Sequence, residues 1–503
     1  MSKIFEIKNL KKIIKNKKKK IVLCHGVFDV LHHGHIKYFE EAKKKGDILI
    51  VSITDDKFVN KGFGRPYFKF KIRAETIAAL SVVDYVCKSP GESSVEVIKL
   101  IKPNVYCKGQ DYKDKKKDLT KNIYLEKKTV EKYGGILVIT ETPMQSSSKI
   151  INSQLSVFNE EQKKDINYIK KKFNYEKIQK NINSLKFKKV LIVGEIIIDK
   201  YVLCETLGKS GKEPFLTTNK LKTEKYLGGS GAVAMNLSNF CKNIELISYI
   251  GSQNNELSFI KKRLNKNIKS FFVKKKNSST VIKTRYIDFN ERQKLLGVYS
   301  INDEYLSENE EKKIIKYLNK NLSTYDLVII ADYGHGLITK NIANLIIKKS
   351  KYISLNSQIN SSNSGHYSLQ RYKNLDCLSI NLNELKNEMK SRSMDLDIMG
   401  RNLIKKMNIN DLVITSGRAG ASILSNKKKD SIKVASYAKE IVDKIGAGDC
   451  LFALISLFLS SSFDKKLSLF LASLAAGMNV EKMGNSSYID KIKFLKTINY
   501  ILK

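Results

Sequence analysis

The sequence predicts an α/β protein of two domains, each a parallel sheet covered by helices on both faces. Three observations lead there. At 503 residues the chain exceeds what one hydrophobic core usually supports. Short apolar runs alternate with helical periodicity along two stretches of it, the pattern of repeated βα units. Between those stretches, residues 151–187 turn polar and lysine-rich with helical periodicity, and read as a helical linker. The expected divisions are 1–150, 151–187 and 188–503.

In the first stretch, Ile21-Val22-Leu23-Cys24 is a strand. A helix is expected from Ile36 to Lys45, ending at Gly46, and Asp47 to Thr54 is the next strand. Helices near Ile72–Leu80 and Val95–Ile101 lead to strands at Val82–Val86 and Val105–Cys107. A further helix before Gly134-Gly135 leads to a strand at Ile136–Ile139. The second stretch opens with a strand at Val190–Gly194, with others expected at Leu327–Ala331, Tyr352–Leu355 and Leu412–Thr415.

Composition narrows the class. Hydrophobic residues make up 42% and charged residues 28%, as in a soluble globular protein. No uncharged apolar run reaches about 18 residues, which excludes a membrane helix. Leu451 to Phe463, the most apolar stretch, follows a glycine-rich turn and reads as a buried helix. The charged start has no apolar segment behind it, so no signal peptide is expected. Seven cysteines without a CxxC pair imply reduced thiols in a cytoplasmic protein and no cysteine metal site. The formal charge of +41 is spread along the whole chain rather than clustered. It reads as a compositional bias on solvated faces, including the run Lys17 to Lys20 ahead of the first strand. Nucleic-acid or anionic-surface binding is therefore the weakest reading of the charge, whereas a phosphate-rich substrate benefits from it.

Four of the six histidines, His25, His32, His33 and His35, fall within eleven residues at the junction of the first strand and first helix. Parallel α/β sheets bind ligands at the carboxyl ends of their strands. A helix N-terminus there offers free N–H groups and the positive end of its dipole to phosphate. Histidines at i and i+3 add donors to the same anion, as phosphoryl or nucleotidyl transfer requires. A helix-capping histidine or a zinc pair is the bland alternative.

The segment Gly26-Val27-Phe28-Asp29-Val30-Leu31-His32-His33-Gly34-His35 resembles the cytidylyltransferase-like nucleotidyltransferases. So do Gly64-Arg65-Pro66, Arg73-Ala74-Glu75, Lys108-Gly109-Gln110-Asp111-Tyr112 and Ser146-Ser147-Ser148-Lys149-Ile150, over about residues 20–150. The resemblance implies a Rossmann-like domain in which His32 and His35 stabilise the α-phosphate of a nucleoside triphosphate. It further implies nucleotide contacts from Gly26, Phe28, Lys61, Lys108, Ser146, Ser147 and Ser148. A sugar 1-phosphate would attack the α-phosphate in line and expel pyrophosphate, with Mg²⁺ screening the phosphates.

A second constellation lies near the other end. Gly446-Ala447-Gly448-Asp449 opens the apolar helix, and its glycines let backbone N–H groups approach an anion. Asp449 beside that nest is placed to accept a proton from an attacking hydroxyl, although a lone GxGD turn is common. Gly228-Gly229-Ser230-Gly231-Ala232-Val233-Ala234-Met235-Asn236, Asn381-Leu382-Asn383-Glu384 and Thr415-Ser416-Gly417-Arg418-Ala419-Gly420 precede it in that order. Together they resemble the ribokinase-like (PfkB) sugar kinases over about residues 188–500. The resemblance implies Asp449 as base, with Gly446, Ala447 and Gly448 as anion hole. It implies Mg²⁺ organised by Asn381 and Glu384, and ATP bordered by Gly417 and Gly420. Sugar contacts would come from Asp199, Gly228, Gly229 and Asn236, with a turn aspartate and a helix-surface asparagine as the plain alternatives for Asp199 and Asn236.

A kinase making a sugar 1-phosphate beside a transferase consuming one resembles the bifunctional heptose kinase–adenylyltransferases, which produce ADP-heptose for surface glycans. Lys209-Ser210-Gly211-Lys212-Glu213-Pro214 and Asp332-Tyr333-Gly334 extend the likeness. Three features depart from it: the transferase leads, Ser354-Leu355-Asn356-Ser357-Gln358-Ile359-Asn360 stands where those enzymes have an Asp-Pro-Lys-Gly turn, and the glycine segment reads GGSGAVAMN. Another sugar or polyol phosphate, CTP in place of ATP, and a silent or regulatory kinase half stay open. The expected partners are a sugar phosphate and a nucleoside triphosphate, with neither membrane nor nucleic acid, and a homodimer through the kinase half.

Overall fold

The computed structural model describes residues 3–15, 19–59, 65–110, 122–141, 158–253, 256–359, 363, 368–390, 395–428, 430–438 and 441–502. The chain divides into two compact units: Met1–Glu160 with Ile492–Lys503, and Glu161–Lys491.

The first unit begins with β1 (Ile4–Phe5), α1 (Ile7–Lys15), β2 (Ile21–Gly26), α2 (His33–Lys43) and β3 (Ile48–Thr54). It continues with α3 (Phe70–Ala78), β4 (Tyr85–Ser89), α4 (Val95–Ile101), β5 (Val105–Lys108), α5 (Asn122–Lys132) and β6 (Ile136–Ile139). These strands form a parallel sheet in the order β1-β4-β3-β2-β5-β6. Alternate side chains of the central strands feed two cores. Val22, Cys24, Leu49 and Val51 pack with Tyr38 and Phe39 on one face. Ile21, Leu23, Ile48 and Ile50 pack with Leu10, Ile14, Val97 and Ile98 on the other. Strands buried on both faces must be apolar at every position, which is why they read as unbroken runs. The strand order reverses between β2 and β5, so the carboxyl end of β2 opens at the crevice where such sheets bind ligands.

Two boundaries differ from expectation. Helix α2 starts at His33 rather than Ile36, because His32 takes an extended N-cap conformation and its carbonyl accepts from His35 N at 2.9 Å. The strand expected at Val82–Val86 is Tyr85–Ser89. Val83 is fully buried, yet its N–H is spent on Leu80 O in the preceding turn. Apolar packing there does not coincide with strand pairing.

The second unit opens with α6 (Glu160–Lys172) and α7 (Tyr175–Ser184), within the segment read as a linker. Gln162 Nε2 donates to Ser436 O at 2.6 Å and Asp165 accepts from Ala435 N at 2.9 Å, so α6 is fastened to this unit. Next come β7 (Lys189–Gly194), β8 (Ile196–Lys209), β9 (Leu216–Gly229), α8 (Ser230–Ser238), β10 (Asn243–Gly251), α9 (Leu257–Arg263) and β11 (Ile268–Lys275). Then follow β12 (Val281–Asp288), β13 (Lys294–Ser300), α10 (Glu308–Asn321), β14 (Leu327–Asp332), α11 (Lys340–Lys349), β15 (Ile353–Ser357) and β16 (Leu375–Asn381). The rest is α12 (Leu382–Met389), α13 (Leu396–Met407), β17 (Ile409–Thr415), β18 (Ala421–Ser425), β19 (Ile432–Val434), α14 (Ala447–Ser460) and α15 (Lys465–Val480); the final helix, α16 (Lys491–Leu502), falls to the first unit.

The main sheet runs β11-β10-β7-β14-β15-β16-β17-β18-β19, parallel as far as β17 and antiparallel over the last pairs. A separate sheet, β13-β12-β8-β9, stands over the carboxyl ends of its strands. Sequence reading did not foresee this second sheet. Much of β9 is exposed and lysine-rich, and β13 is exposed although largely apolar, so neither shows a clean period of two. Among the described residues no helix is long and apolar enough to cross a membrane.

Candidate functional site

Each unit carries its own constellation. In the first, β2 delivers the chain to Gly26 and α2 receives it at His33. A Cβ at Gly26 would lie 2.9 Å from Phe28 Cζ, so glycine there lets the Phe28 ring fold back. Phe28 adopts φ 49°, unusual for an aromatic residue. Its ring meets His35 edge-on at 5.4 Å and Phe39 at 5.0 Å. The His32 and His35 rings stack at 3.9 Å between centroids, with His35 buried. The two imidazoles thus stand together over the first turn of α2, where unpaired N–H groups and the helix dipole favour an anion.

The surrounding motifs brace this turn. Asp29 accepts from Arg65 Nη1 at 3.1 Å, Tyr67 N at 2.8 Å and Phe68 N at 3.0 Å. Arg73, buried, donates to the Phe68 and Thr54 carbonyls and to Asp56 Oδ1. Lys108 ends β5 turned inward, 3.2 Å from Glu126 Oε2, and Glu126 also accepts from Tyr106 OH and Ser94 N. Beside it, burial and the Lys108 charge push His25 down to about 3, so His25 is neutral. Lys61, Ser146, Ser147 and Ser148 lie outside the described residues.

In the second unit a cleft of about 380 Å³ lies between the separate sheet and the carboxyl ends of β14 and β15. It gathers Asp199, Gly229, Gly446, Gly448 and Asp449 in one place. Helix α14 begins at Ala447 behind Gly446, whose φ of 86° is left-handed and suits glycine. Ala447 N donates to Lys444 O at 3.4 Å, and a helix N-terminus of this kind offers its other first-turn N–H groups to an anion. Asp449, half-buried, accepts from Tyr333 OH at 2.7 Å. Burial lifts its pKa to about 6, opposed by the Tyr333 hydrogen bond, with Asp199 pushing up and Lys283 pulling down. Asp199, on β8, accepts from Arg285 Nη1 at 2.6 Å and from Asn485 Nδ2 at 3.3 Å. A Cβ at Gly228 would lie 2.2 Å from Asp199 Oδ2, so that glycine makes room for the carboxylate. Gly229 is the left-handed N-cap of α8.

Other candidates stand elsewhere. Asn236 is fully buried outside the cleft lining; its amide donates to Ala232 O and accepts from Ile489 N. Asn381 and Glu384 form a reciprocal capping box on α12 at the end of β16. Burial raises the Glu384 pKa to about 7. Gly417 and Gly420, both at positive φ, follow β17. None of these four lines the cleft.

Sequence reasoning missed Lys283, Arg285, Tyr299 and His335, which do line it. Lys283 and Arg285 alternate along β12, but in so lysine-rich a chain that spacing carries no signal. Lys283 is buried, and desolvation lowers its pKa.

Comparison with known proteins bears on both units. Residues 188–492 match the pfkB family carbohydrate kinase profile, and residues 23–153 match the cytidylyltransferase-like profile. "Bifunctional protein HldE" of Nitratiruptor sp. is 26% identical over 304 residues, covering 59% of this chain and 62% of that protein. The protein of the same name from Aliarcobacter butzleri is 28% identical over 308 residues, again covering 59% and 62%. The chain thus spans less than two thirds of the length of these relatives. Phosphofructokinase-2 from Escherichia coli, crystallised with fructose-6-phosphate, superposes with a TM-score of 0.51. The match, at 13% identity, covers 63% of this chain and all of that one, and it shows a common fold. With more than half its length in the kinase profile and a cytidylyltransferase-like region ahead of it, the chain belongs to the pfkB family of carbohydrate kinases.

Proposed function

We propose that this chain is a bifunctional enzyme that phosphorylates a sugar phosphate at its anomeric hydroxyl, giving a bisphosphate, and that couples a sugar 1-phosphate to a nucleotide once a separate phosphatase has hydrolysed the other phosphate. ADP-heptose is the specific product proposed. The observation that carries the reading is the cleft holding Asp449, Asp199, Lys283 and Arg285 at the mouth of α14. At neutral pH the Asp449 carboxylate is ionised in most molecules and accepts the proton as the sugar oxygen attacks the γ-phosphate of ATP. N–H groups of Gly446, Ala447 and Gly448 stabilise the charge that develops. Asp199 orients the sugar hydroxyls, and Lys283 and Arg285 meet its phosphate.

The sugar 1-phosphate left by that hydrolysis attacks the α-phosphate of a second nucleotide over His32 and His35, and pyrophosphate leaves. Gly26 and Phe28 shape that turn, and Lys61, Lys108, Ser146, Ser147 and Ser148 are the proposed contacts to the triphosphate. Mg²⁺, carried with the nucleotide, screens its phosphates. Glu384, a buried carboxylate beside the phosphate side of the sheet, suits its water shell better than direct coordination, because the capping box already engages one oxygen. Gly417 and Gly420 border ATP. The relatives' shared name, with its word bifunctional, supports two activities in one chain. A homodimer through the kinase unit is supported by the exposed Leu207, Leu216, Leu221, Leu296 and Val298 of the separate sheet.

The test is an assay with Mg²⁺, ATP or CTP, and a panel of sugar phosphates, reading ADP and pyrophosphate separately. ADP with heptose 7-phosphate, and pyrophosphate with heptose 1-phosphate and ATP, are expected. Pyrophosphate with CTP alone would reassign the nucleotide, and ADP with a different sugar would reassign the substrate.

A further inference from the structure

The kinase cleft contains a buried imidazole to which the chemistry above gives no work. His335 lies two residues past Tyr333, is fully buried, and lines the cleft with Asp199, Lys283 and Asp449. Its Nδ1 sits 2.7 Å from Asp303 Oδ1. A carboxylate only accepts, so the ring proton belongs on Nδ1 and Nε2 presents a lone pair. That Nε2 is buried and has no hydrogen-bond partner among the described residues. Burial and the charge of Lys283 lower the His335 pKa against the opposing pull of Asp303, which favours the neutral ring.

The imidazole is also fastened from behind. The His335 carbonyl accepts from Lys275 Nζ and from Tyr249 OH, each at 3.1 Å. The same Lys275 ammonium donates to Asn302 O at 2.8 Å, beside Asp303. Leu306 N donates to Gly336 O at 3.1 Å, and a Cβ at Gly336 would collide with Glu304 O at 1.8 Å. The loop after β14 and the loop after β13 are therefore locked together, and with them the direction of the ring. An orphaned buried acceptor costs stability unless a ligand satisfies it. One held this rigidly is organised in advance for that ligand.

We propose that His335 is a specificity residue of the kinase cleft, whose Nε2 accepts a hydrogen bond from a hydroxyl of the sugar phosphate. The assignment rests on the kinase reading above. A neutral acceptor selects a hydroxyl over an anion, and the anionic end of the same substrate goes to Lys283 and Arg285.

Two substitutions separate recognition from support. In His335→Asn the amide N–H can still donate to Asp303, but the acceptor at the Nε2 position is gone. His335→Gln carries an acceptor near that position. With full-length protein, Mg²⁺-ATP and the sugar phosphate that gives ADP, His335→Asn raises KM roughly tenfold while kcat changes less than about threefold. His335→Gln restores most of the loss. One monodeoxy form of the sugar loses roughly tenfold in kcat/KM with the wild type and nothing further with His335→Asn. An unchanged KM in His335→Asn, or equal discrimination by both proteins against every monodeoxy form, overturns the assignment. If the wild type releases no ADP with any sugar phosphate, the kinase reading itself has failed. Calorimetric titration of the same panel into the wild type and His335→Asn then decides the His335 assignment, with no binding or equal affinities overturning it.

Discussion

Tyr333 donates its hydroxyl to Asp449 Oδ1 at 2.7 Å, joining the loop after β14 to the first turn of α14. Burial raises the Asp449 pKa to about 6, and this hydrogen bond, made to the charged form, works against that rise. In the proposed reaction the carboxylate accepts the proton, so kcat/KM is expected to fall as pH drops through about 6. In Tyr333→Phe the charged form loses its donor, the Asp449 pKa rises further, and the acid limb of the kcat/KM profile moves to higher pH. At pH 6 the loss is roughly tenfold. A limb in its wild-type position would contradict the pairing of these two residues in catalysis.

Asp449→Asn removes the proton acceptor and keeps the shape. ADP release with the sugar phosphate falls by about 10²–10⁴. Pyrophosphate release from supplied sugar 1-phosphate and ATP stays at the wild-type rate. Parallel loss of both products would mean that Asp449 supports folding of the chain rather than phosphoryl transfer.

Gly228→Ala places a methyl where Asp199 Oδ2 now lies, 2.2 Å from the built Cβ. The carboxylate must leave Arg285 or the strand must shift, at a cost of about 1–3 kcal/mol. KM for the sugar phosphate rises, KM for ATP does not, and Tm falls by a few degrees. An unchanged sugar KM would separate Asp199 from substrate binding.

His35→Ala takes away the ring stacked on His32 and packed against Phe28. Pyrophosphate release falls by about 10²–10³, and ADP release is unaffected. Near-full pyrophosphate release would remove the histidines from the reaction.

Much of this architecture was legible in the sequence because buried parallel strands are apolar at every position. Val190–Gly194, Leu327–Ala331 and Leu412–Thr415 stand out from a lysine-rich background for that reason. The glycine turns were legible because Gly446, Gly229 and Gly26 meet backbone or close-approach demands that few residues satisfy. The sheet carrying Asp199, Lys283 and Arg285 was not legible. With much of its surface in water, its alternation dissolves into the lysines found everywhere else. Asp303 and His335 were hidden for a different reason: they are 32 residues apart and meet only because Lys275 and Gly336 bind two loops together. The first strand and helix, Ile4–Phe5 and Ile7–Lys15, escaped notice because so short a strand leaves no period to count.

The most direct test of the account is ³¹P NMR of a single reaction containing the full-length protein, Mg²⁺, ATP and heptose 7-phosphate. The predicted spectrum gains the signals of ADP and of a sugar 1-phosphate monoester group and, once a sugar-bisphosphate phosphatase is added, those of pyrophosphate together with the paired diester resonances of a nucleotide diphosphate sugar. With Asp449→Asn those diester signals appear only when heptose 1-phosphate is supplied. A spectrum in which ATP and heptose 7-phosphate persist unchanged, while heptose 1-phosphate and ATP also fail to react, would contradict the account.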